Sequence, residues 1–310
     1  MRTFLIAMLC VLFLSGCKPP SEPLRIGSNR WLGYAPIYLA DELGWTASSN
    51  IRLVEYPTSN GVVRGLHNGL VDAAMLTLDE AIVLQSTEHN IEIILITNLS
   101  AGSDVLYARP NIRTLADLKG KRIAVEGSTL GTYFLAHILD KAQLSTDDIE
   151  VVNMPLYMHI EAFNKGTIDA SIGTAVVHNQ ALKTGAAPLF TSRDLREEII
   201  DVLVINRERI NPELRERLRA LWYSSLETWL EHREKSDVLI QKRLGLDKSA
   251  LVQALNGMVM GDKALNTVYF DQGELAKRIE IMQTYMLNKG QLKQPIDATL
   301  LLPACSGDSC

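Results

Sequence analysis

The run Leu115-Ala116-Asp117-Leu118-Lys119-Gly120-Lys121-Arg122-Ile123-Ala124-Val125-Glu126-Gly127-Ser128-Thr129-Leu130-Gly131-Thr132 decides the fold. Arg122 to Val125 predicts a strand, the small residues from Gly127 a loop, and the pattern through Leu139 a helix. Repeats of that unit build α/β sheets.

Working outward, the same alternation appears on both sides. Upstream, Leu24-Arg25-Ile26-Gly27 alternates as a strand, and Trp31-Leu32-Gly33-Tyr34-Ala35-Pro36 interrupts it before a helix from Ile37 to Leu43, which Gly44 stops. Ile51 to Tyr56 is a second strand. Asn60 is placed to cap a helix from Val62 to Asn68, and Val71 to Leu76 is a third strand. Thr77 precedes a helix with Leu78, Ala81, Ile82 and Leu84 on its apolar side. After the β-run Ile91 to Thr97, the small polar residues Ser100-Ala101-Gly102-Ser103 suit a hinge.

The alternation then restarts, with strands at Val105 to Tyr107, Arg122 to Val125, Ile149 to Met154 and Ile168 to Ile172. Arg193 to Ile199 reads as helical and Val202 to Asn206 as a strand. The remainder predicts helices at Pro212 to Leu230, Ser236 to Arg243, Lys248 to Met258 and Gln272 to Asn288. Two successive α/β series predict two sheets, which 310 residues are enough to fill.

The formal net charge is −5 and no basic stripe appears, so nucleic acid is not an expected partner. His67, His137 and His178 are scattered, so neither a metal nor another cofactor is expected, and a monomer is.

At the N-terminus, Met1-Arg2 and an apolar run from Phe4 to Leu14 lead to Leu14-Ser15-Gly16-Cys17. This is the layout of an export signal, shorter than the roughly 20 apolar residues that span a bilayer. Leu-Ser-Gly-Cys resembles the bacterial lipoprotein box, which implies a lipid on Cys17; an ordinary signal peptide that happens to hold a cysteine is the alternative. Lys18-Pro19-Pro20-Ser21-Glu22-Pro23 reads as a stiff tether. Lys18 leaves the choice between inner and outer membrane open. At the other end, Cys305 and Cys310 can close a ring worth about 2 kcal/mol in the loop-entropy model, or stay unpaired.

Several stretches resemble the nitrate/taurine/aliphatic-sulfonate group of ABC-transporter solute-binding proteins, a group that also holds binders of a thiamine pyrimidine precursor. They are Arg25-Ile26-Gly27 with Trp31 to Pro36, Gly69-Leu70-Val71-Asp72-Ala73-Ala74, the Leu115 to Val125 block and Gly166-Thr167-Ile168-Asp169-Ala170. The resemblance runs from about Leu24 to Asn206. It implies the type II periplasmic-binding-protein fold: two α/β lobes joined by two hinge crossings, near Ala101–Asp104 and Ser192–Asp201. Residues 1–16 are then a signal peptide, 17–23 a tether, 24–102 with 202–300 one lobe, 103–201 the other, and 301–310 a tail.

The implied function is capture of a small organic solute, a sulfonate, pyrimidine or similar molecule, for an inner-membrane ABC permease and its ATPase. A receptor that reports ligand to a membrane sensor kinase or cyclic-nucleotide enzyme is the alternative. Pyrimidine-precursor synthases resemble the same group but rely on a cysteine-rich iron-binding stretch. No cysteine lies between Cys17 and Cys305, so an enzyme is not expected.

Ligand, in open α/β sheets, sits beyond the carboxyl ends of the strands. The candidate contacts there are Trp31 and Tyr34 as ring surfaces, Thr77 and Asp79 after the third strand, Tyr157, and Thr174. Ser128, Thr129 and Thr132 open a helix whose positive end suits an anion or polar group. Core packing accounts for Trp31 equally well, and helix capping for Thr77, Asp79 and Ser128. Many relatives carry Trp-Glu-Pro where this chain has Thr174-Ala175-Val176, so no relative's ligand carries over.

Overall fold

All 10 residues of Ile91–Ser100 are buried, because this strand crosses the middle of a sheet with helices on both faces. The structure is a computed structural model and describes residues 22–87, 90–195 and 198–303. The expectations at Cys17, across the export segment, and at Cys305 and Cys310 lie outside the described residues.

The strands are β1 Leu24–Asn29, β2 Ile51–Tyr56, β3 Ala73–Thr77, β4 Ile91–Ser100, β5 Asp104–Ala108, β6 Arg122–Val125, β7 Glu150–Asn153, β8 Ala170–Thr174, β9 Ala187–Thr191, β10 Ile200–Asn206 and β11 Met258–Met260. One sheet has the order β11-β4-β10-β3-β1-β2 and the other β7-β6-β8-β5-β9. In each, three parallel strands meet one antiparallel strand that has just crossed from the other sheet: β10 beside β3, and β5 beside β8. The chain passes between the sheets at residues 101–103 and 192–199. Ser192 ties the two passages together: its Oγ lies 2.8 Å from Ser100 Oγ and accepts from the Gly102 N–H at 2.7 Å.

The helices that cover the sheets are α1 Ala35–Glu42, α2 Trp45–Ser48, α3 Ser59–His67, α4 Leu78–Gln85, α5 Thr129–Ala142, α6 His159–Lys165 and α7 His178–Lys183. They are followed by α8 Pro212–Glu231, α9 Arg233–Leu244, α10 Lys248–Leu255, α11 Lys263–Phe270 and α12 Glu274–Asn288. Local chemistry corrects several expected boundaries. Thr58, not Asn60, caps α3, accepting from the Gly61 N–H at 3.2 Å; Asn60 reaches across to donate to Gly127 O. Pro36 sits in the first turn of α1, where its missing N–H costs nothing, so the helix starts at Ala35. The stretch read as one helix to Met258 ends at Leu255 and β11 follows, while Arg193–Ile199 forms only a 3-10 turn over Ser192–Leu195 among its described residues.

The C-terminal helices contact both sheets' cores. Trp222 of α8 packs with Ile26, Tyr38 and Leu95, whereas Leu251 and Ala254 of α10 share a cluster with Tyr107, Phe163 and Ala175. On α12, Tyr285 donates from its hydroxyl to Asp140 of α5 at 2.8 Å and stacks on His137 with ring centroids 3.9 Å apart.

One clamp occurs in both lobes. Arg25 at the start of β1 donates from its backbone N and Nε to Asp72 Oδ2 at 2.9 and 3.0 Å, and from Nη2 to Asp72 Oδ1 at 2.8 Å. Arg122 at the start of β6 does the same to Asp169, at 3.0 Å in each of the three bonds. Each guanidinium also donates to a glycine carbonyl, Gly69 or Gly166, and both glycines have φ near +70°, a conformation a side chain strains. In return the backbone N–H groups of Asp72 and Asp169 donate to Arg25 O and Arg122 O, each at 2.8 Å. The offset that takes Arg25 to Arg122 also takes Gly69 to Gly166 and Asp72 to Asp169, so the two lobes repeat one plan.

Asp72 is 12% exposed and takes a second arginine, Arg209, at 3.0 Å; Asp169 is 23% exposed and holds Arg122 alone among the ion pairs of described residues. Asp72→Ala is therefore expected to cost roughly 1–3 kcal/mol, mainly by leaving the Arg25 guanidinium without its carboxylate, since Arg209 is 47% exposed and stays hydrated. Asp169→Ala should cost less. Urea unfolding of the two variants checks the ranking, and equal or reversed losses would refute it.

Candidate functional site

Between the carboxyl ends of the two parallel strand sets lies a cleft of about 230 Å³. Its walls follow from the repeated plan. From the first lobe come the loop after β1 (Asn29, Arg30, Trp31, Tyr34), Ser59 at the start of α3, and Thr77 and Glu80 where β3 becomes α4. The second lobe supplies Glu126, Ser128, Leu130, Gly131 and Phe134 at the β6–α5 junction, Leu156 and Tyr157 after β7, and Ile172 to Thr174 with Val176 and Val177 after β8. The two crossing strands each add one carboxylate to the lining, Asp104 from β5 and Asp201 from β10.

The loop after β1 can turn inward because Gly33 has no side chain. A Cβ there would lie 2.1 Å from Asn98 Nδ2 and 2.5 Å from Trp31 Nε1. With that space open, Trp31 Nε1 donates to Asp201 Oδ2 at 3.2 Å and Tyr34 Oη donates to Asp201 Oδ1 at 2.6 Å. The polar edges of both rings are therefore spent on a protein carboxylate. Tyr34 is buried and Trp31 half-buried, so only part of each aromatic face is open to the cleft.

Of the expected contacts, the structure brings Trp31, Tyr34, Thr77, Ser128, Tyr157 and Thr174 to the cleft, and Tyr157 is 75% exposed at its mouth. Asp79, Thr129 and Thr132 are not among the lining residues. Asp79 is turned inward on α4 and buried, and Glu80 lines the cleft in its place. Thr132 faces its own helix, donating to Thr129 O at 2.8 Å. Ser128 acts as the cap of α5, accepting from the Gly131 N–H at 3.0 Å.

Sequence reading missed Glu80, Asp104, Glu126 and Asp201 as cleft residues. Asp201 did carry a signal, since it is a lone carboxylate inside Ile199-Ile200-Asp201-Val202-Leu203, and a charge in a buried β-run persists only with partners. Of the lining residues only Arg30 bears a cationic side chain, and it is exposed and donates to Arg243 O.

The acids are held in low-dielectric surroundings. Burial pushes the Asp104 carboxyl up to about 6, against the pull of the Ser100 hydroxyl. Burial raises Asp201 well above the usual carboxylate range, opposed by the Tyr34 hydroxyl and reinforced by Asp104 and Glu80. Asp79 and Glu80 are both raised by burial, and Glu126 by burial and by Glu80. The α5 N-terminus expected to seat an anion therefore shares its cleft with four carboxyl groups. Among the described residues no group of His, Cys, Asp and Glu is arranged to hold a metal ion.

The NMT1/THI5-like family model matches residues 31–235. The chain belongs to the NMT1/THI5-like family. A Brucella abortus binding protein of unnamed ligand is 28% identical over 311 residues, spanning 96% of this chain and 95% of that one. The taurine-binding periplasmic protein of Escherichia coli is 25% identical over 67% of this chain and 64% of its own length. Among solved structures, the aliphatic sulphonate binding protein SsuA of Escherichia coli superposes with a TM-score of 0.72 at 20% identity, covering 92% of this chain and 98% of SsuA. The desulfurization enzyme DSZB superposes at 0.65 and 19% identity, over 91% and 96% of the two chains. This NMT1/THI5-like protein thus shares its architecture with solute binders and with an enzyme.

Because folded Asp104 holds its proton more tightly than a free carboxyl, the native state binds more protons than the unfolded one between pH 3.8 and about 6. Its contribution to stability is full below that window and is lost as pH rises through it, by an amount on the order of 3 kcal/mol. Half-buried His137, pushed down to about 4 by desolvation, acts in the opposite sense over the same range, so only a difference isolates Asp104. In ligand-free protein, the stability of Asp104→Asn relative to wild type should rise from pH 4 to pH 7. A flat difference across thermal melts would show that this carboxyl is not buried as described.

Proposed function

We propose that this chain is the extracytoplasmic solute-binding component of an ABC importer, closing its two lobes on a small polar organic molecule. The observation that carries the reading is the position of the cleft. It lies between two lobes linked by the chain at residues 101–103 and 192–199 and covered by the C-terminal helices, and both lobes contribute polar side chains to it. Ligand that contacts both walls binds the closed form better than the open one, which is the differential affinity closure requires. Family membership and the binding-protein relatives support the same reading.

The enzyme in the same fold group raises the question of catalysis. Here the sequence argues for binding alone, since no cysteine lies between Cys17 and Cys305 and the buried His159 is committed to Ser171 Oγ at 2.7 Å and Met154 O at 3.0 Å. Export and a lipid on Cys17 complete the proposal. Membrane attachment through two or more acyl chains keeps the clamp beside its permease, since each buried methylene adds about 0.8 kcal/mol.

Mass spectrometry of solute carried through purification, followed by small-angle scattering with and without that solute, tests the reading. The expected result is a bound small molecule whose removal expands the particle. A Cys17→Ala chain should leave the membrane fraction. No solute retained and no change in dimensions with candidate solutes would argue against a closing binding protein.

A further inference from the structure

The duplication of the lobes extends into the cleft and exposes one unmatched pair. Asp201 is in register with Thr77, the last residue of β3, on antiparallel strands. Asp104 is in register with Thr174, the last residue of β8, in the same way. The offset that carries Arg25 to Arg122 also carries Thr77 to Thr174 and Asp104 to Asp201. Each lobe therefore sets one aspartate from its crossing strand against one threonine at the end of its third parallel strand, and both aspartates line the cleft.

The two carboxylates differ in what completes them. Asp201 accepts from Trp31 Nε1 and Tyr34 Oη, one donor on each oxygen. Under the same offset, Trp31 corresponds to Ser128 and Tyr34 to Gly131. Gly131 has no side chain, and Ser128 Oγ is taken up as the cap of α5. Neither reaches Asp104, which is only 6% exposed; the Ser100 hydroxyl acts on its carboxyl, but its Oδ2, like Oε1 of Glu80 in the same cleft, has no hydrogen-bond partner among the described residues. A carboxylate oxygen buried without a donor is costly, so it marks the place where a bound molecule brings one.

We infer that the cleft takes a small nitrogen compound with a cationic or N–H-donating head, a monocyclic amine or amidine, which donates to Asp104 as Trp31 and Tyr34 donate to Asp201. This deepens the solute-binding reading and rests on it. Size and wall chemistry agree. An apolar cavity of about 150 Å³ holds benzene, so about 230 Å³ accommodates one ring and a few more heavy atoms. Phe134, Ile172, Val176 and Val177 line it with apolar surface for the ring. A sulfonate would enter a cleft that already holds four carboxyl groups and whose one cationic lining residue, Arg30, is turned to Arg243 O.

Titration calorimetry on the full-length protein in detergent, with benzamidine and benzylamine against benzenesulfonate and taurine, tests this. The expected result is millimolar or tighter binding of the two nitrogen probes, at least about tenfold stronger than either sulfonate. Asp104→Asn should weaken the nitrogen probes by about tenfold or more, the scale of one hydrogen bond to a charged group. The head-group comparison on wild type stands even if that variant does not fold. Sulfonates binding as well as or better than the nitrogen probes, or an Asp104→Asn chain that keeps full amine affinity, would overturn the inference and leave the solute-binding reading intact. Failure of all four probes would overturn it too. The solute-binding reading falls separately, if no solute is retained through purification and scattering shows no closure.

Discussion

The bond that the rest of the architecture depends on is the guanidinium–carboxylate clamp at the amino end of each parallel strand set. Arg25 and Asp72 hold β1 against β3, and Arg122 and Asp169 hold β6 against β8. Each uses two side-chain bonds, the arginine N–H donating to the carboxylate and the aspartate N–H donating to the arginine carbonyl, so it fixes register as well as proximity. Register matters because the strands are short: β3 and β8 have five residues each. With the residues just before them, Asp72 and Asp169, clamped, their last residues, Thr77 and Thr174, arrive at the cleft at a set height. The chemistry at one end of the sheet is thus positioned by an ion pair at the other.

Starting from the same plan, the lobes have diverged where they face each other. The first lobe keeps an aromatic loop after β1 and spends it on Asp201; the second replaces that loop with the cap of a 14-residue helix. Buried carboxylates without full sets of donors lower the stability of an empty protein, and a binding site retains them because the bound state satisfies them. Outside the cleft, Asp79 Oδ2 also lacks a partner among the described residues, whereas Glu92 is paired. Glu92, also fully buried, meets both Arg207 and Arg215, at 2.9 and 2.8 Å. What sets Asp104 apart from Glu92 and Asp79 is that it lines the cleft, where a ligand can reach it.

The alternation of strands and helices was legible because each unit combines a β-branched run, small residues and an amphipathic segment. Both Asp-Ala pairs stood out in sequence, although their partners Arg25 and Arg122 did not, since a clamp of 47 residues' separation has no local trace. The three-residue strand β11 was hidden at the end of a helical pattern. It exists because Gly257 and Gly261 let the backbone lie against residues 96–103, where a Cβ on Gly257 would meet Gly102 C at 2.7 Å and one on Gly261 would meet Ile96 O at 1.9 Å. In the cleft, aromatic and hydroxyl residues after strand ends were readable from position alone. The crossing-strand acids were not, because their exposure to the cleft depends on antiparallel pairing with β3 and β8, which only the assembled sheets define.

Charge placement also bears on when the lobes close. Glu80 and Asp201 belong to the first lobe, Asp104 and Glu126 to the second; Glu80 raises the proton affinity of Asp201 and, across the cleft, of Glu126, and Asp104 raises that of Asp201. Opening separates the two sets and hydrates them. In a clamp that closes as proposed, closing without ligand would bring these acids together where water no longer screens them, a repulsion the open form would lack. A donor-bearing head between Asp104 and its neighbours removes that repulsion while the ring fills apolar surface. On that reading the same acids would couple closure to occupancy, with stability given up at Asp104 so that closing becomes conditional on a bound molecule.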